Sequence, residues 1–157
     1  MDQHQSPSTR VPTAKDGGHP SSSRLAGALL TLVIVELTIA TGYIHLTLGG
    51  PLFTLNGFGY LALAGAYLIG AAAPISFVER FSWLPRIALA GYAVLTIGAY
   101  LLTGTYFALG WITKGIEVAI VGLVAVDLLR AFGDPDGLRT AVIRSLTQRA
   151  GGGPRHA

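Results

Sequence analysis

Of 157 residues, 51% are hydrophobic and 12% charged, about half the charged fraction of an ordinary soluble domain. Mean hydropathy is +0.55, and the formal charge of +3 resides mainly in the two tails and one loop, a placement that speaks of membrane orientation and not of nucleic acid. The absence of cysteine excludes disulfides, thiolate nucleophiles, thiolate metal sites and haem attachment through C-x-x-C-H.

Met1 to Arg24 is rich in Ser, Pro, Gly and charged residues and reads as a disordered tail, with His4 and His19 as solvated side chains. The apolar run from Leu25 to Leu48 is long enough to cross about 30 Å of hydrocarbon. It is too long for a signal core and lacks an A-x-A site, so it is expected to be retained as a first span. Glu36 lies near its middle, where a charge costs about 2.5–3.5 kcal/mol on the insertion scale and so demands a partner or a purpose. His45 lies near its far end.

The uncharged connector Gly49 to Gly57 leads to a second apolar run, about Asn56 to Ala73, closed by Pro74. Ala62, Ala66 and Gly70 recur at helical spacing there and offer a smooth face for packing within the bundle. The loop Ile75 to Arg86 mixes aromatics and bases, as a headgroup boundary does. A third span over about 87–103 carries a hydroxyl stripe, Tyr92, Thr96, Tyr100 and Thr103, expected to face the bundle interior. A fourth, about 109–132, holds Lys114 and Glu117 three residues apart, the spacing of an intrahelical pair, and Asp127, which is expected to pair with Arg130 at the interface. In the tail, 133–157, residues 137–149 read as a basic amphipathic helix capped by Asp136. It would rest Arg139, Arg144 and Arg149 on anionic headgroups.

The fold class is therefore all-α: an integral membrane four-helix bundle with a short C-terminal surface helix. Bases precede the first span, lie between the second and third, and follow the fourth, whereas the other two connectors are uncharged. The positive-inside rule then puts both termini in the cytoplasm, at an inner or plasma membrane. In that frame the external half holds a candidate polar cluster of Glu36, His45, Lys114 and Glu117, with Tyr43, Asn56, Tyr100 and Tyr106 as secondary members. The first helix is polar on two sides, however. Glu36, Tyr43 and Thr47 share one face, and Thr38, Thr41 and His45 share the other. Such two-sidedness points to association with a second copy or with a larger membrane complex.

No phosphate loop, G-x-S-x-G or H-E-x-x-H is present. The leading functional reading is a non-enzymatic accessory or structural membrane component, with no cofactor predicted. One alternative is a proton-linked transporter or channel using Glu36 and His45. The other is haem, copper or quinone binding at His45. Glu36, the segment Tyr43-Ile44-His45-Leu46 and the segment Gly50 to Gly57 together resemble the first half of small four-span membrane proteins of actinobacterial type. Many of those carry a longer connector after the histidine. The resemblance implies four helices, singles out His45 and Asn56, and brings no activity with it.

Overall fold

The computed structural model describes residues 22–72, 76–104 and 106–147. All regular structure among them is helical: α1 (Ser22–Leu48), α2 (Pro51–Ala72), α3 (Ser76–Arg80), α4 (Trp83–Thr103), α5 (Ala108–Phe132) and α6 (Pro135–Thr147). The tail readings for residues 1–21 and 148–157, Arg149 included, lie outside the described residues. Ser22 to Arg24, expected in the tail, instead form the first turn of α1.

Three helices, α1, α2 and α4, are long and apolar enough to cross a membrane. α5 is of similar length but carries Lys114, Glu117 and Asp127. The four long helices pack as a ring in which α1 meets α2 and α5, and α4 meets the same two. Short connections make the neighbours antiparallel. The first is only Gly49 and Gly50, both at positive φ, a backbone region where glycine carries no side-chain penalty. Pro51 then opens α2, because a first-turn position needs no N–H and suits the fixed proline φ. The sequence placed a longer connector here, but the chain re-enters helix at once, and Leu52 to Asn56 belong to α2.

The approach of α1 to α2 is glycine-mediated. A Cβ on Gly57 would lie 2.6 Å from Leu46 Cγ and 2.9 Å from the Gly42 carbonyl oxygen, so α1 and α2 meet backbone to backbone. The small stripe named above does not do this work. Ala62 and Ala66 are exposed, and α2 buries Gly57, Tyr60, Ala64 and Tyr67 instead. Gly70 of that stripe makes a close contact, beneath the Pro85 ring.

At the opposite end from Gly49, α6 folds back against α4 and α5. Asp134 caps it, accepting from the Gly137 amide at 2.6 Å, with Pro135 in the first turn. This corrects the expected Asp136 cap: Asp136 lies already inside the helix. Leu138 and Val142 are half-buried and Ser145 is buried, whereas Leu146 points away. Arg80 donates twice to the Ser145 carbonyl, and Trp83 Nε1 donates to Ser145 Oγ at 3.2 Å.

The partition of side chains is the inverse of a water-soluble fold. Leu29, Ile69, Leu95, Leu102, Ile112 and Val118 are exposed. Lys114, Glu117, Asp127 and Arg86 are buried.

Candidate functional site

Two polar clusters occupy the interior, one toward each end. The first is built on the last turns of α1 and the opening turns of α5. Lys114 Nζ donates to Glu117 Oε1 at 2.8 Å and Oε2 at 2.6 Å, as the i, i+3 spacing required. Glu117 is wholly buried and also accepts from Thr96 Oγ1 at 3.0 Å. Thr96 has one proton to give, and its other partner besides Tyr60 is the Ala93 carbonyl. The 2.7 Å contact with the Tyr60 hydroxyl therefore has Tyr60 as donor.

His45 enters this cluster from α1. Its Nδ1 lies 2.9 Å from the Thr41 carbonyl oxygen, an acceptor only, so Nδ1 carries a proton. That fixes the ring and turns Nε2 toward Glu117 Oε1, 3.8 Å away. The distance exceeds a hydrogen bond. Nε2 is thus either an acceptor awaiting a donor or, when protonated, half of an ion pair with the carboxylate. Thr41 Oγ1, on the same face, is buried without a hydrogen-bond partner among the described residues.

A cavity of about 200 Å³ opens above these groups and is lined by His45, Asn56, Thr96, Tyr100 and Lys114, among others. Tyr100 forms one wall. Its ring lies 5.5 Å from Lys114 Nζ and against Gly110, where a Cβ would come within 2.5 Å of the hydroxyl. Asn56 accepts from the Tyr92 hydroxyl at 3.0 Å. The hydroxyl stripe of α4 therefore faces inward as expected at Thr96 and runs up to the mouth of the cavity at Tyr100 and Thr103.

The structure thus brings together His45, Lys114 and Glu117 and sets Asn56 and Tyr100 around them. Glu36 is not part of the cluster. It is exposed on the opposite face of α1, as are Tyr43 and Thr47. Nine residues along a helix carry the chain half a turn past whole turns, so no rotation of α1 brings both Glu36 and His45 inward. Tyr106 is exposed too; it stacks on Trp111 and donates to the Leu101 carbonyl at 2.8 Å.

The second cluster lies near the α3 and α6 end and joins α2, α4 and α5. Arg86 Nε donates to Asp127 Oδ2 at 2.7 Å, Arg86 Nη1 to the Ser82 carbonyl at 2.6 Å, and the Tyr67 hydroxyl to Asp127 Oδ2 at 2.6 Å. The expected Asp127–Arg130 pair does not form. Arg130 instead donates to the Ser23 carbonyl at 3.0 Å, because α5 turns Asp127 inward and Arg130 outward. Spacing along one helix could not reveal a partner on another. The one available signal was a second unmatched ionisable residue, Arg86, at the same end of the bundle.

Between the clusters the core is apolar, filled by Ile34, Ala64, Leu89, Ile120 and Val124. Compared with known protein families, curated proteins and solved structures, the chain matches none. Chemically, the upper cluster can hold a small polar group in the cavity against His45 and Lys114. Among the described residues no group of three or more His, Cys, Asp or Glu gathers as metal ligands.

Proposed function

We propose that this is a four-span membrane protein with both termini in the cytoplasm, acting as a non-enzymatic accessory or structural component that associates with itself or with a larger membrane complex. The inverted partition of side chains carries the reading. A surface of leucine, valine and isoleucine around buried lysine, glutamate and aspartate is stable in hydrocarbon and costly in water. The same partition favours counting α5 as a span. Lys114, Glu117 and Asp127 lie inside the ring, only Arg130 in its last turn points out, and its outward side presents Trp111, Ile112, Val118, Val126 and Leu129.

The exposed Arg139 and Arg144 of α6 would then meet anionic headgroups on the cytoplasmic side. A reporter inserted after Gly50 should be active only outside the cytoplasm, and cytoplasmic activity would overturn the topology. Polymer-extracted membrane discs should contain protein mass well above the 16.4 kDa of one chain. A single-chain mass with no co-extracted protein would overturn the association.

A second reading is favoured by His45 Nε2 standing beside Glu117 under the cavity: proton-linked exchange, or capture of a haem, copper or quinone, at the external end. It would employ His45, Glu117 and Lys114 but not Glu36, which lies on the other side of α1. Passage through the bundle would also require displacing the Ile34, Leu89, Ile120 and Val124 layer. A coloured purified protein whose absorption is lost in His45→Ala would establish cofactor capture, and a colourless one with native His45 would remove haem from consideration.

A further inference from the structure

Glu36 is the one charged side chain exposed in the middle of a long helix among the described residues, and no hydrogen bond or ion pair to any of those residues holds it. From Leu29, steps of four and three residues reach Val33, Glu36, Ala40, Tyr43 and Thr47, and all six are exposed. This 3.5-residue period is that of a left-handed two-helix seam, in which a polar residue buried at the contact fixes register and partner number.

Resting on the self-associating, four-span reading, we infer that the outer face of α1 binds the same face of a second copy of this chain. Glu36 of each copy then forms a hydrogen-bonded carboxyl pair across a two-fold axis along the membrane normal. The occupant follows from hydrogen-bond complementarity. Copies of one chain share orientation and depth, so a two-fold axis sets Glu36 opposite Glu36 automatically. A carboxyl group both donates and accepts when protonated, so the residue is complementary to itself. Among the described residues nothing serves instead, because the polar residues of α1 at similar depth, Thr38 and Thr41, are buried on the far side. Ala40, one turn away, lets the two helices approach.

The test uses the full chain in native membranes, where the absence of cysteine gives a clean background. Val33→Cys and Ala40→Cys should give disulfide-linked dimers on oxidation, whereas Ile69→Cys and Leu95→Cys, exposed on α2 and α4, should not. Glu36→Gln should keep the dimer, since an amide also donates and accepts, and Glu36→Ala should lower its association constant roughly three- to thirty-fold. Equal losses in Glu36→Gln and Glu36→Ala, or cross-linking at 69 or 95 in place of 33 and 40, would overturn the pairing. A cross-link from position 33 to a different protein would sink the second copy while leaving association intact. A monomer with no cross-link at all would sink both.

Discussion

Removing Lys114 tests the physics of the upper cluster most directly. In Lys114→Met the Glu117 carboxylate, wholly buried, loses both hydrogen bonds from the one ammonium, at 2.8 and 2.6 Å, and keeps Thr96 Oγ1, with His45 Nε2 at 3.8 Å. Hydrogen bonds to charged groups contribute about 1.5–3 kcal/mol each, and breaking a buried pair from one side costs about 3–5 kcal/mol. The single variant should therefore lose about 3–5 kcal/mol. Glu117→Leu should lose less, roughly 2 kcal/mol, because the Lys114 ammonium retains the Tyr100 ring and borders the cavity, where water can solvate it. The double variant Lys114→Met/Glu117→Leu removes both charges and should recover to within about 2 kcal/mol of the native chain. Reversible unfolding in mixed micelles, followed by fluorescence of Trp83 and Trp111, measures all three. A double variant as unstable as the sum of the singles, or Lys114→Met within about 1 kcal/mol of native, would refute the buried-pair account.

At the other end, Asp127→Leu strands the Arg86 guanidinium and the Tyr67 hydroxyl and should cost about 3–5 kcal/mol. Arg130→Ala, at an exposed residue, should cost under about 1 kcal/mol, and the reverse order in the same unfolding assay would restore the Asp127–Arg130 pair. Gly57→Ala drives a methyl into Leu46 and the Gly42 carbonyl and should destabilise by about 1–3 kcal/mol. Gly65→Ala meets nothing within 4 Å and should be neutral or stabilising by up to about 1 kcal/mol. Comparable melting temperatures for the two would deny that α1 and α2 touch through glycine. Asp134→Ala removes the α6 cap and should cost that helix about 1 kcal/mol, seen as faster proteolytic clipping between 133 and 147. An unchanged clipping rate would mean that docking through Ser145 alone holds α6.

Much of the fold was legible in the chain because hydrocarbon imposes one simple condition: long apolar runs interrupted by Gly, Pro or charge. Each of the four expected spans overlaps a long helix. The Lys114–Glu117 pair was legible too, since its geometry is internal to one helix. The two faces of α1 were separable by counting residues, and burial of Thr38, Thr41 and His45 against exposure of Glu36, Tyr43 and Thr47 follows that division.

What a one-dimensional pattern lacks is the rotation of each helix about its own axis and the identity of its neighbours. Those are set by which surfaces fit: Gly42 against Gly57, Gly70 beneath Pro85, Gly110 against Tyr100. Once these contacts fix the rotations, Asp127 faces Arg86 instead of Arg130, Thr96 reaches Glu117 from α4, and the alanine stripe of α2 turns outward. The composition of the chain dictated helices suited to lipid and the charges they had to shelter. Only the packing of one helix on another decided which charges meet inside, and that Glu36, in the middle of its helix, faces out.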